Sequence, residues 1–281
     1  MIMNQEEKNY LLMLEDILNN GSVRSDRTGI GTKSIFGTKL RFSLENNVVP
    51  MLTTKKMYVK GVIEELLFFL RGDTDTKKLE AVGVNIWKGN TSREFLDKRG
   101  LSAYPEGEMG PMYGAQWRNF CGIDQLSNAI DLLKRDPYSR RIVVSAYNPS
   151  VSHLTVLDPC HMFFQFYADG GKVSCQFYMR SVDSFLGLPF NILSYAILTR
   201  IVAKVVGMEA KELVFVGGDT HIYQNHVSQV LEQISRDPYD FPTMMINAEL
   251  NDVCDIEALK YSDFEFQGYK CHPSIKADMA V

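Results

Sequence analysis

No stretch of this 281-residue sequence is both long and uninterruptedly apolar. The most apolar segment, residues 190–206, is broken by Asn191, Ser194, Thr199, Arg200 and Lys204, which a membrane-spanning helix would hardly tolerate. Cysteine is sparse and unpatterned: Cys121, Cys160, Cys175, Cys254 and Cys271 are odd in number and irregularly spaced, with no CxxC pair and no recognisable signal peptide. That excludes a disulfide framework and predicts reduced thiols in a cytoplasmic protein. Neither sign of charge dominates, because 30 basic residues against 34 acidic ones leave a formal net charge of -4. No global field therefore draws the chain to nucleic acid or to a membrane, and any anion site must be local. His221 and His226, with Asp219 nearby, lack an HxxxH spacing, so no metal site is expected.

What the sequence does contain is ordinary globular material, 45% hydrophobic and 11% aromatic, enough to bury a sizeable core and to exclude a disordered chain. Residues 10–18 carry apolar side chains at helical spacing and end in Asn19, Asn20 and Gly21, a helix stop. Residues 33–44, with glycines at 29, 31 and 37, read as strand, turn, strand. Val59, Val62, Ile63, Leu66, Leu67 and Leu70 fall on one face of a helix, with Glu65 at the edge of that stripe, lifted out to solvent or held in a cavity. Residues 88–112 read as a short helix and surface loops rather than core. Residues 141–147, 162–168 and 172–179 read as strands, the last two joined by a turn at Asp169, Gly170 and Gly171. A helix over about 192–206 and a strand over 213–216 follow. With no repeat and no linker, the expectation is a single α+β domain over residues 1–281.

Cys160 would stand at a strand entrance with His161 beside it in sequence. A free cysteine is commonly a small buried hydrophobe, but as a nucleophile it needs a nearby cation to form its thiolate, and Arg180 is one candidate. Arg24, Arg27, Arg140, Arg141 and Arg180 could each be surface residues, or could converge on a dianion, because the guanidinium fork matches phosphate oxygens. The doublet Arg140 and Arg141 leads into an apolar strand, so one of the two should face inward or across an interface. Asn191, just before the expected helix, could be its N-cap or could read the donor–acceptor edge of a pyrimidine.

Taken in order, these segments resemble the thymidylate synthase family over nearly the whole chain. The landmarks are residues 25–29 (SDRTG), 64–73 (EELLFFLRGD), 110–117 (GPMYGAQW), 139–141 (SRR), 159–161 (PCH), 180–183 (RSVD), 187–191 (GLPFN), 218–223 (GDTHIY) and 272–281 (HPSIKADMAV). Residues 86–97 are similar to the eukaryotic-type version of the family, pointing to a eukaryote or a virus.

The resemblance implies a large mixed sheet covered by helices, dimerising through sheet faces, and reductive methylation of dUMP to dTMP with 5,10-methylenetetrahydrofolate as co-substrate and dihydrofolate as product. It makes Cys160 the nucleophile at C6 of uracil. Glu65, with Tyr113 and His161 nearby, would manage protons. Arg27, Arg180 and Ser181 would hold the nucleotide phosphate, together with Arg140 and Arg141 of a second subunit in a homodimer. His221 and Tyr223 would hold the deoxyribose, Asn191 would select uracil, and Asp183 would touch base and folate. Ile86, Trp87, Asn90, Leu186, Gly187 and Phe190 would line the folate, with the Met279 region as a lid.

The alternatives are a dUMP hydroxymethylase on the same scaffold, a non-catalytic RNA-binding paralogue and a cysteine hydrolase. The intact site residues and the mild acidity argue against the second, and the absence of a separate His and Asn/Asp arrangement against the third. Departures from the pattern are Met179 where Gln is usual, Phe68 where Trp is usual, and Asp158 before Pro159, which would change the charge near the thiol.

Overall fold

The computed structural model describes residues 4–26 and 29–278. Its helices are α1 (Gln5–Asn20), α2 (Val59–Leu70), α3 (Lys77–Ala81), α4 (Arg93–Lys98), α5 (Gly114–Arg118), α6 (Gln125–Arg135), α7 (Gly187–Val205), α8 (Val227–Ile234) and α9 (Val253–Ala258). Its strands are β1 (Ser22–Arg24), β2 (Thr32–Ser43), β3 (Val143–Ser145), β4 (His161–Asp169), β5 (Lys172–Asp183), β6 (Glu209–Tyr223), β7 (Thr243–Ile246) and β8 (Phe264–Gln267). Six strands form one mixed sheet in the order β1-β2-β6-β5-β4-β3, and β7 pairs with β8 separately. Only the β5–β6 pair of that sheet is parallel, as the crossover through α7 requires.

This order fixes where chemistry can gather. Because β4 runs antiparallel to β5 and β5 parallel to β6, the start of β4 and the ends of β5 and β6 lie at one edge of the sheet. Alternation along the strands sends Phe164 and Phe177 towards α7, where both rings pack on Tyr195. The intervening residues face the other way: Phe163 stacks on Tyr178 there, and Phe163, Tyr167 and Val143 remain exposed. One face of the sheet thus carries the core, and the other exposes Phe163, Tyr167 and Val143 around the paired Gln165 and Gln176, without a covering layer among the described residues.

Several sequence expectations shift. Residues 33–44 form one strand passing through Gly37 rather than two, and the strand expected at 213–216 extends over all of β6. The strand expected over 141–147 shortens to β3, leaving Arg140 and Arg141 in the preceding turn, both exposed, so neither faces inward. Within residues 88–112, read as surface, Thr91, Leu96 and Met109 are buried, since the loops fold back onto the core. The helix expected from about 192 begins at Gly187. Asn191 therefore lies inside α7 and is not its cap.

Candidate functional site

Cys160 immediately precedes β4 and is half-buried. Its carbonyl accepts from the Arg180 backbone N–H at 2.9 Å, a ladder bond that brings the two residues side by side across β4 and β5. The Arg180 guanidinium turns back along the same segment, donating from Nε to Pro159 O at 3.0 Å and from Nη2 to Asp158 O at 2.7 Å. A positive group is thereby fixed against the loop that carries the thiol, the setting in which a thiolate is favoured. The Asp158 carboxylate accepts from Ser152 and lies 3.8 Å from Arg99.

Tyr113 closes the other side. Its hydroxyl accepts from the Cys160 backbone N–H at 3.0 Å, leaving the phenolic proton free for another acceptor. Burial, then the neighbouring Cys160, push its pKa well above the usual phenol range, with Glu65 adding to the shift, so the ring stays protonated. Its backbone is strained at φ 44 and ψ -107. The next residue explains why: a Cβ at Gly114 would stand 2.2 Å from Phe69 O, so α5 abuts α2 through a glycine.

Glu65 comes off α2 with its carboxylate accepting from Trp87 Nε1 at 2.7 Å. The side chain is half-buried and held by the indole rather than lifted out to solvent. Burial raises its pKa to about 7, opposed by the indole hydrogen bond, so the group can both take and give a proton near neutrality. His161 differs: its ring stacks on Tyr113 at 4.0 Å and shares a 2.8 Å hydrogen bond through Nδ1 with Tyr195. Burial lowers its pKa to about 3, which makes it a neutral platform rather than an acid at physiological pH.

Asp183 ends β5 and accepts at 3.1 Å from the backbone N–H groups of both Phe185 and Leu186, shaping the turn into α7. On the first turns of α7, Asn191 is half-buried, and its amide has no hydrogen-bond partner among the described residues. An amide so placed has both donor and acceptor to spend on a ligand. Across the ladder, Ser181 pairs with Asp219 and Asp183 with His221. His221 Nδ1 lies 3.1 Å from Asp219, which also bridges Arg24 at 2.7 Å, and its ring meets Tyr223 edge-on at 5.1 Å.

Of the expected folate wall, Ile86, Trp87, Leu186, Gly187 and Phe190 are partly exposed, whereas Asn90 is buried. Trp87 and Tyr113 approach to 6.1 Å, continuing the apolar surface towards the thiol. Partly exposed apolar side chains beside an unspent amide and a carboxylate fit a flat heteroaromatic co-substrate. Arg27 and Met279 lie outside the described residues. No group of three potential metal ligands occurs among the described residues.

Sequence reasoning missed three residues. Lys55 is buried and donates from Nζ to Phe185 O, Tyr10 donates to Ser184 O at 2.8 Å, and Tyr195 holds His161. Tyr10 and Tyr195 sit among apolar neighbours and Lys55 in the polar run of residues 53–56, and the one available signal was that a buried polar tip needs a partner.

An α+β sheet with a cysteine, a guanidinium, a protonated phenol and a carboxyl of raised pKa gathered near one edge holds the groups that a thiol-nucleophile enzyme needs. A family model described as thymidylate synthase matches residues 8–281. The chain is 47% identical over 301 residues to the thymidylate synthase of Saccharomyces cerevisiae, covering 99% of this chain and 98% of that protein. It is 44% identical over 291 residues to the thymidylate synthase of Ascaris suum, covering 99% and 98%. It is also 46% identical to the bifunctional dihydrofolate reductase-thymidylate synthase of Zea mays over 98% of this chain, of which it spans 55%. The chain belongs to the thymidylate synthase family, whose members are methyltransferases.

Proposed function

We infer that this protein methylates dUMP to dTMP with 5,10-methylenetetrahydrofolate, releasing dihydrofolate. The observation that carries the reading is the backbone bond between Arg180 and Cys160, which sets thiol and guanidinium together within reach of Tyr113. Arg180, Ser181 and Arg27 take the nucleotide phosphate, while His221 and Tyr223 take the 3'-hydroxyl of the sugar. Asn191 spends its free amide on the O4 and N3 edge of uracil, a pattern cytosine would not match.

The Cys160 thiolate adds to C6 of the ring, and the displaced π electrons make C5 nucleophilic. The folate, when bound, supplies the one-carbon unit and then the hydride that reduces it to methyl. Glu65, whose pKa of about 7 suits both directions of transfer, removes the C5 proton and serves O4. Tyr113 can donate its hydroxyl proton within the same space. Expulsion of the Cys160 sulfur from C6 restores the ring. Trp87, Leu186 and Phe190 stack the folate over the base and exclude water, which favours hydride over hydration; the relatives reported above, named thymidylate synthases, lend no support to the hydroxymethylase alternative.

We propose further that two copies pair through the exposed apolar sheet face, with Arg140 and Arg141 reaching the partner's phosphate site. Both arginines are exposed, border β3 at the edge of that face, and form no ion pair among the described residues. A cytoplasmic setting fits the five free thiols. Incubation with 5-fluoro-dUMP and methylenetetrahydrofolate tests the chemistry. A stable adduct on the Cys160 peptide is expected, and an adduct elsewhere, or none, overturns it.

A further inference from the structure

Two buried donors from distant parts of the chain close on consecutive carbonyls of the turn between β5 and α7. Tyr10, on α1 and fully buried, donates its hydroxyl to Ser184 O at 2.8 Å. Lys55 donates from Nζ to Phe185 O and sits 3.6 Å from the centroid of the Phe185 ring. The same turn receives Asp183 on the N–H groups of Phe185 and Leu186, and the Ser184 N–H donates to His221 O at 2.9 Å. Together these bonds hold the turn in one conformation.

Burying an amine is unfavourable without compensation, so its retention calls for a use. Its own segment is anchored with unusual thoroughness. The Glu7 carboxylate, fully buried, accepts from the backbone N–H and hydroxyl of both Thr53 and Thr54, the two residues before Lys55. Gln233 of α8 donates to the Thr54 hydroxyl at 2.9 Å. A continuous set of contacts thus runs from α1 and α8 through residues 53–55 to the turn that precedes Gly187 and Asn191. Asp183 is near enough to raise the Lys55 pKa, against the burial that lowers it to about 7.

We propose that Lys55 is a positioning residue which, by holding the Phe185 carbonyl, aims the Asp183–Asn191 wall at the folate and the pyrimidine. Tyr10 does the same for the preceding carbonyl. The inference rests on reading residues 183–191 as a ligand-contacting wall, and a Cys160 adduct in the unaltered protein tests that reading separately.

Lys55→Met keeps length and apolar bulk but removes the donor. It is expected to raise the KM for methylenetetrahydrofolate about tenfold or more, the loss typical of one buried hydrogen bond, and to raise that for dUMP in the same direction, because the wall faces both ligands. Lys55→Gln, whose neutral amide can still donate to a carbonyl, should recover most of that loss. A wild-type folate KM in Lys55→Met overturns the proposal. So does a Lys55→Gln variant as impaired as Lys55→Met, because the positive charge, rather than the carbonyl contact, would then be what matters. If Lys55→Met does not fold, Tyr10→Phe decides: a raised folate KM supports the proposal, and an unaltered one overturns it.

Discussion

Glu65 shows how a side chain can cost the fold stability at neutral pH while suiting the proton transfers of the proposed reaction. Burial lifts its pKa from 4.5 to about 7, so the folded protein holds this proton more tightly than the unfolded chain does. The associated stability is complete below the ordinary carboxyl range and is lost as pH rises through about 7. Glu65→Gln, which cannot ionise, should be more stable than the parent at pH 8 by about 1–2 kcal/mol, with the difference vanishing near pH 5, as read from denaturant melts. Its kcat should fall by about a hundredfold or more, and the rate inflection near pH 7 should disappear. His161, held neutral by burial, should contribute no inflection in the same range.

At the scale of elements, the contact between α1 and residues 53–54 is the most concentrated polar interaction in the core. Removing its acceptor in Glu7→Ala leaves two backbone N–H groups unpaired and takes away the carboxylate to which the Thr53 and Thr54 hydroxyls donate, and a loss of about 3–5 kcal/mol is expected from urea unfolding. How far such elements could be read from sequence depended on whether a residue's neighbours were local. The helix α2 was legible to the residue because six apolar side chains repeat at helical spacing. The strand β6 was legible only over residues 213–216, because Gly217 and Gly218 interrupt its β-compatible run. They belong instead to a close approach: a Cβ at Gly218 would stand 2.8 Å from the Tyr178 hydroxyl and 3.0 Å from Arg180 O. Likewise the helix expected from about 192 starts at Gly187, because Pro189 is tolerated in the first turn of α7, where no backbone donor is needed. The thiol, the carboxyl and the arginines were legible as chemical types. The side chains supporting them, Lys55, Tyr10 and Tyr195, were not, since each partner is remote in the chain.

At the scale of the whole molecule, the proposed pairing of two copies rests on a sheet face that exposes Phe163, Tyr167 and Val143. Phe163→Asp combined with Tyr167→Asp, two exposed positions, should yield a monomer in sedimentation equilibrium with little change in far-ultraviolet circular dichroism. A shared site adds a stricter expectation. Arg141→Ala and Cys160→Ser should each be inactive, yet mixing them after reversible dissociation should restore roughly a quarter of wild-type sites, because half the dimers are hybrid and each holds one complete site. Absence of any recovery would show that each subunit works with its own arginines.

The hydrogen bond from the Trp87 indole to Glu65 also gives the protein an internal optical gauge. The sequence has just two tryptophans, and the other, Trp117, lies in an aromatic cluster whose nearest titrating ring, His161, changes charge only at about 3. Intrinsic fluorescence followed from pH 5 to 9 should therefore track a single proton leaving the Glu65 carboxyl, and the Glu65→Gln protein should give a flat trace.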